Sequence, residues 1–259
     1  MQMQVFGMSD VGLKRQLNED NFEIWQDDRM LIAVVCDGMG GAQAGEVASR
    51  MACISILHTL KDELEQIVGK IEDKVELMLS VDRAIDLACS KANKAVYDYS
   101  HTDKALAGMG TTAVGIVATN GVLWVFNIGD SRAYYIADGK ILQLTVDHSL
   151  VQALLDAGKI TPEEAVNHPN RNIILKAVGI ESGVECDISH RDMQGGCYLL
   201  CSDGLSNYFD EKKFLRIISS DSTVSEKAEA LIGLANEGGG ADNITAVLID
   251  TENKLEAER

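Results

Sequence analysis

The sequence predicts a single α+β domain. Three observations predict it: short β-branched and aromatic runs near both ends of the chain, two long helical stretches between them, and Asn-Gly and Asp-Gly turns joining neighbouring runs. A chain of 259 residues can bury most of its unfolded surface. With 46% hydrophobic and 24% charged residues it has the composition of a folded globular protein. Two prolines and 23 glycines favour glycine-built turns over a proline-rich linker.

The first strands are expected at QMQVFGM (2–8), NFEIWQ (21–26) and MLIAVVC (30–36), the last followed by a glycine-rich turn. A first helix is predicted from about Gln43 to Ile67, with Val47, Met51, Ile54 and Leu57 on one face. In a second helix Ile71, Val75, Met78, Val81, Ile85, Ala88, Ala92, Val96 and Tyr99 recur at steps of three and four. TTAVGIVAT, VLWVFNI, RAYYIA and KILQL then read as an antiparallel meander, with hairpin turns at Asn120-Gly121 and Asp138-Gly139. Short helices are expected at 149–157 and 162–167, the second opened by Thr161-Pro162-Glu163-Glu164. Strands at 184–190 and 197–202, helices at 210–219 and 223–236, and a strand at 244–250 complete the series. The domain is expected to span 1–252. Residues 253–259 form a charged tail expected to fray.

Charge narrows the function. Against 23 Lys and Arg stand 40 Asp and Glu, a net charge of −17. Such a surface repels nucleic-acid backbone and anionic lipid. No apolar run approaches 18 residues, and the start lacks the layout of a signal peptide. The six cysteines form no CxxC pair, and several lie in apolar runs such as LIAVVC and CYLLC. They read as reduced, buried small hydrophobes, and a zinc site from Cys197 and Cys201 is disfavoured. A cytoplasmic monomer without nucleic-acid or membrane partners is expected.

Four segments place carboxylates at strand ends or in tight loops: RQLNEDN, VVCDGMGG, LLCSDGL and GADNITAV. They supply Glu19, Asp20, Asp37, Asp203 and Asp242. Asp37 and Asp203 share one reading: an apolar strand ends, and Asp-Gly follows with a turning backbone and an accessible carbonyl. If these side chains converge, each close pair repels by roughly 4 kcal/mol at an effective dielectric near 20. Hard divalent cations offset such repulsion, since Mg²⁺ and Mn²⁺ prefer oxygen ligands. Two adjacent ions can generate a hydroxide and hold a phosphoryl group for in-line attack. Arg15, four residues before Glu19, suits bidentate phosphate recognition or a surface salt bridge.

RQLNEDN, VVCDGMGG, GMGTTAV, NIGDSRAY, TVDHSL, ILKAVG, LLCSDGL and GADNITAV together resemble the ordered motifs of the protein phosphatase 2C (metal-dependent, PPM-type) family. Compact bacterial serine/threonine phosphatases are the best match, over residues 4–250. The resemblance implies a four-layer α/β/β/α sandwich with two antiparallel sheets flanked by helix pairs. It implies a centre of two Mn²⁺ or Mg²⁺ ions, bridged by Asp37. Asp203 and Asp242 would bind one ion and the Gly38 carbonyl the other, with Glu19 and Asp20 acting directly or through water. Arg15 would hold the substrate phosphate, and Asn243 would orient Asp242 or a metal-bound water. The implied nucleophile is metal-activated water, the substrates phosphorylated proteins, and the opposing enzyme a bacterial serine/threonine kinase.

Two positions depart from the family pattern. Met39 stands where many relatives carry a histidine proposed as general acid. Before GMGTT stand Lys104-Ala105-Leu106-Ala107-Gly108, with Asp103 the nearest aspartate, so a conventional third metal site is not expected. The segment 145–170 resembles the family's mobile flap. Its His148 and His168 read as structural or solvent-exposed before they read as proton donors.

Other motifs fail. GMGGAQAG lacks the third glycine of a dinucleotide loop, GDSRA is not GxSxG, and the adjacency of Asp147-His148-Ser149 is not triad geometry. A hydrolase of small phosphoesters and a non-catalytic phosphoprotein-binding module on the same fold stand as alternatives. The retention of Asp37, Asp203 and Asp242 disfavours the second of these.

Overall fold

The structure is a computed structural model and describes residues 3–40, 44–166 and 168–251. The expected start of the first helix at Gln43, the end of the second short helix at 167 and the tail 253–259 lie outside the described residues.

Among the described residues eleven strands form two antiparallel sheets. The first has the order β1 (Gln4–Asp10), β11 (Ile244–Asp250), β10 (Cys197–Cys201), β7 (Arg132–Ala137), β8 (Lys140–Gln143). The second has the order β2 (Asp20–Gln26), β3 (Met30–Met39), β5 (Ala113–Thr119), β6 (Val122–Ile128), β9 (Asp187–Asp192), with the two-residue β4 (Gly110–Thr111) on the end of β3. β3, β5 and β6 are apolar on both faces, as strands covered on both sides must be.

One face of each sheet meets the other sheet. Val35 and Ile116 of the second pack with Leu200 and Val247 of the first in a shared core. The outer face of the second sheet, with Trp124 and Phe126, is covered by α1 (Ala44–Ile67) and α2 (Lys74–Ser100). The outer face of the first is covered by α6 (Glu211–Ile218) and α7 (Val224–Glu237), with Phe214 and Leu231 against Leu199 and Leu248. The result is the expected α/β/β/α sandwich. The caps follow local chemistry: Asp73 accepts from the Glu76 amide at the start of α2, and Thr223 and Glu226 form a capping box on α7. Ile71 therefore precedes α2 rather than opening it. Asn120 and Asp138 have the positive φ that two-residue hairpin turns need.

The expected meander does not form as one sheet. β5–β6 and β7–β8 are hairpins of different sheets, and β6 pairs with β9 on its other edge. The chain crosses between sheets at Gly129-Asp130-Ser131. There Gly129 adopts φ 112°, and a Cβ would meet the Thr112 side chain at 2.7 Å. The two short helices, α3 (Leu150–Asp156) and α4 (Pro162–Val166), form a lobe beside this crossing. Bridges Ser149↔Ile174 and Thr111↔Val178 tie the lobe down.

Candidate active site

Sheet register gathers the sequence-predicted residues at one end of the sandwich. Antiparallel pairing of β2 and β3 sets Asp20 opposite Asp37. Pairing of β10 with β11 brings Ser202 beside Thr245, whose amide donates to the Ser202 hydroxyl at 3.0 Å. The Ser202 and Thr245 hydroxyls, from the first sheet, both donate at 2.7 Å to Oδ2 of Asp20, from the second. Asp203 follows Ser202 directly, and Asp242 lies in the turn before β11. Asp37 and Asp203 lie close enough for each to perturb the ionisation of the other.

The two Asp-Gly segments are not one design. β3 continues through Asp37 and Gly38 to Met39, so Asp37 sits within a strand. Asp203 opens a one-turn helix, α5 (Asp203–Ser206). Neither glycine has positive φ among the described residues, and neither is there to turn the chain. Both are there because nothing larger fits. A Cβ at Gly38 would lie 2.1 Å from the Gly45 carbonyl oxygen, and one at Gly204 would lie 1.9 Å from that of Asn243. Backbone thus approaches backbone under each aspartate. The Asp37 backbone is held by Thr112, whose hydroxyl accepts from the Asp37 amide at 2.9 Å and whose amide donates to the Asp37 carbonyl at 2.8 Å.

Burial and mutual repulsion make this cluster costly to ionise. Burial, then Asp20, Asp203, Asp130 and Asp242, push Asp37 well above the usual carboxylate range. Burial also raises Asp20 to about 7, although its two hydroxyl partners oppose the rise. Burial and Asp242 raise Asp203. Asp130, at the sheet crossing, is raised to about 7 by burial and by Asp203.

Two arginines face the cluster: Arg132 acts on Asp130 and Asp203, and Arg15 lies in the loop between β1 and β2. The Arg15 guanidinium donates to Asp242 at 2.8 Å and stands 3.9 Å from Glu19. Arg15 is therefore paired with a residue expected to bind metal. Glu19 accepts from the Gly45 amide at the start of α1, and burial raises its pKa. The Asn243 side chain faces the Arg15 loop rather than the Asp242 carboxylate. Its Oδ1 accepts from the Glu19 amide at 2.8 Å, and its Nδ2 donates to the Val11 and Leu17 carbonyls at 3.0 and 2.9 Å. It clamps the Arg15 loop, and only its backbone amide reaches Asp242, at 2.9 Å.

Among the described residues no three His, Cys, Asp or Glu side chains close on one point tightly enough to hold a metal ion as they stand. Two of the carboxylates are engaged elsewhere: Asp242 accepts from Arg15, and Asp20 accepts from Ser202 and Thr245. The donor set still fits a hard divalent cation. It consists of oxygens, and Oδ1 of buried Asp20 has no hydrogen-bond partner, an uncommon state for a buried polar atom.

Residues 13–236 match the family described as Protein phosphatase 2C. The chain belongs to that family. It is 38% identical over 246 residues to serine/threonine phosphatase stp of Listeria monocytogenes, covering 94% of each chain. Its fold superposes on the crystal structure of the Mycobacterium tuberculosis serine/threonine phosphatase PstP/Ppp with a TM-score of 0.81, at 36% identity over 97% of this chain and 99% of that one. A PstP catalytic domain crystallised with 2 manganese ions matches with a TM-score of 0.78 at 36% identity, over 96% and 97% of the two chains. The resemblance read from the ordered motifs is thereby borne out.

Within this phosphatase 2C fold, Asp130, Ser202, Thr245 and Thr112 belong to the acidic end of the sandwich and were not picked out as site residues. Asp130 follows the apolar β6 in NIGDS, the same apolar-run-then-aspartate pattern as at Asp37. With Arg132, Gln152, Arg171 and Asp203 it lines a cleft of about 460 Å³ between the lobe and α5. His148 is structural: Nδ1 accepts from the Gly129 amide at 3.0 Å and Nε2 stands 3.2 Å from Asp187. His168 accepts from the Asn170 amide at 3.2 Å. Asp103 accepts from the Ala105 amide at 2.9 Å and caps the 3₁₀ turn at Lys104–Leu106.

Proposed function

We propose that this chain is a serine/threonine protein phosphatase that needs two Mn²⁺ or Mg²⁺ ions and acts on phosphorylated proteins. The observation that carries the reading is the cluster of Asp20, Asp37, Asp203 and Asp242, drawn from both sheets, whose charges repel and outnumber the two arginines, Arg15 and Arg132, that face them. The names of its relatives and the manganese in the PstP structure support the same reading. When bound, such ions activate a water as nucleophile near neutral pH and neutralise charge on the phosphoryl oxygens.

The chain's own residues hold and aim the parts. Asp37 would bridge the two ions, Asp203 and Asp242 would bind one, and the Gly38 carbonyl the other. Glu19 and Asp20 would complete the oxygen set, directly or through water. Arg15, released from Asp242 when a cation takes that carboxylate, would grip the phosphate with its planar fork. Met39 has no ionisable proton, so the leaving alkoxide takes its proton from another group. Asp103 spends a carboxylate oxygen on its own turn, in keeping with two ions rather than three. The cellular role would be in the cytoplasm, opposing a serine/threonine kinase, with the protein acting as a monomer.

The test is release of phosphate from a phosphothreonine peptide with Mn²⁺, without it and with EDTA, beside a small aryl phosphate. Metal-dependent turnover of the peptide is expected. No metal-dependent release from the peptide overturns the reading, and so does turnover of the aryl phosphate alone.

A further inference from the structure

The core beneath α1 and α2 holds four free cysteines, Cys36, Cys53, Cys89 and Cys186, and they form two thiol pairs. Cys89, on α2, and Cys186, just before β9, stand with their sulfurs 3.4 Å apart and are separated by 97 positions in sequence. Cys36 and Cys53 neighbour one another, and the Cys53 thiol donates to the Val34 carbonyl at 3.6 Å. The pairs differ in access. Cys36 and Cys53 are fully buried, whereas Cys186 is partly exposed while its partner Cys89 is 1% exposed. Peroxide can therefore reach one thiol of the Cys89–Cys186 pair and neither of the other.

We propose that Cys89 and Cys186 are a reversible oxidation site that takes hydrogen peroxide and closes to a disulfide. The proposal does not depend on the phosphatase reading. In the first step the Cys186 thiolate attacks a peroxide oxygen. An S–O bond forms, the O–O bond breaks, and the leaving hydroxide takes a proton to become water. In the second step the Cys89 sulfur attacks the sulfenic sulfur. The S–S bond forms, the S–O bond breaks, and the departing hydroxide leaves as water with the Cys89 proton. Two thiols and one peroxide give one disulfide and two waters. The sulfurs need to approach from 3.4 Å to about 2.05 Å, a movement that side-chain rotation and a small shift of the partly exposed segment can supply. The hydrogen bond that Cys89 donates to Cys186, then burial, push the Cys89 thiol up. That suits Cys89 to the second role, resolving a sulfenic acid already formed, rather than to first attack.

The remaining cysteines do not compete. Cys197 and Cys201 are four residues apart on one strand, which separates their Cα atoms by about 13 Å, beyond disulfide reach. The place of the Cys89–Cys186 pair gives it leverage. Asn93, one turn beyond Cys89, accepts from the Gly179 amide at 2.7 Å and donates to the Glu181 carbonyl at 3.0 Å, so α2 already grips the segment that carries Cys186. Asp187, next in the chain, holds His148 and Lys176 at the base of the lobe. A Cys89–Cys186 bond would make this join covalent.

The test treats the reduced full chain with hydrogen peroxide, alkylates remaining thiols, and maps the digest by mass spectrometry without reduction. A linked Cys89–Cys186 peptide is expected as the main product, and dithiothreitol should restore both thiols. In Cys89→Ser, Cys186 should advance to sulfinic acid. In Cys186→Ser, a substitution at a partly exposed position, the link should vanish and Cys89 should stay a thiol. The proposal is overturned if the wild type carries Cys186 sulfinic acid without the link, or if Cys36–Cys53 is the dominant bridge.

Discussion

Two groups of aspartates meet at the 460 Å³ cleft, which Asp147 lines from one group and Asp130 and Asp203 from the other, and they are handled in opposite ways. At the base of the lobe each carboxylate has its own cation. Arg132 donates to Asp147 at 2.9, 3.1 and 2.6 Å, and Asp187 is held by Lys176 at 3.0 Å and His148 at 3.2 Å. Burial works against the Asp187 charge, yet its hydrogen bonds from Lys176 and His148 win and its pKa falls. At the sheet ends, Asp20, Asp37, Asp130 and Asp203 are crowded together and all are raised. The first arrangement is self-sufficient and builds structure. The second is incomplete by its own electrostatics, which is what the proposed metal site requires.

That contrast can be broken most directly at Asp203. Asp203→Asn should cut metal-dependent turnover by about 10²-fold or more while leaving the thermal melt nearly unchanged, because the substitution removes a like charge from the cluster. Full activity in this variant would place the chemistry elsewhere. Arg15→Ala should cost about 1.5–3 kcal/mol of transition-state binding, roughly a 10- to 150-fold loss in kcat/KM on a phosphopeptide. Unchanged kinetics would remove Arg15 from the site.

In the other group the effect should fall on stability. Asp147→Asn leaves Arg132 without its carboxylate. With the Arg132 side chain still 29% exposed, the loss should be about 2 kcal/mol, a fall of about 4–8 °C in Tm by calorimetry. A variant as stable as the parent would show that the pair is not structural.

The pH dependence of the metal-free protein separates the two groups more finely. Asp20 and Asp130 rise from 3.8 to about 7 on folding. Between those values the folded state keeps protons that the unfolded chain has released. Stability from these groups is therefore present at low pH and lost as pH rises through about 7. Tm should fall by on the order of 5 °C from pH 5 to pH 8, and Mn²⁺ should flatten the slope. Asp187, lowered instead, contributes stability that disappears only below about pH 4, outside this window. A metal-free Tm that climbs from pH 5 to 8 would contradict the raised values at the sheet ends.

Much of this was legible in the chain. Hairpins at Asn120-Gly121 and Asp138-Gly139 follow from turn chemistry, and α2 from a periodic apolar face. The ordered motifs pointed to the family and to Asp37, Asp203 and Asp242. Other features were hidden for definite reasons. Gly129 looks like any turn glycine, and nothing local reveals that the chain changes sheets there. Gly38 and Gly204 read as turn formers, whereas their need is for space against backbone from distant segments. The family resemblance pointed Asn243 at Asp242 or a metal-bound water, and nothing local reveals that its side-chain amide also serves the loop at 11–19.

The sequence by itself determined the strands, the helices and the residue types able to bind an oxygen-loving cation, because these depend on periodicity and local chemistry. Only the tertiary structure decided which carboxylates share a space, which already own a counter-charge, and which thiols touch. Those outcomes depend on the register of strands such as β2–β3 and β10–β11, and on the stacking of two sheets. Electrostatic cost is a property of distances between residues far apart in the chain.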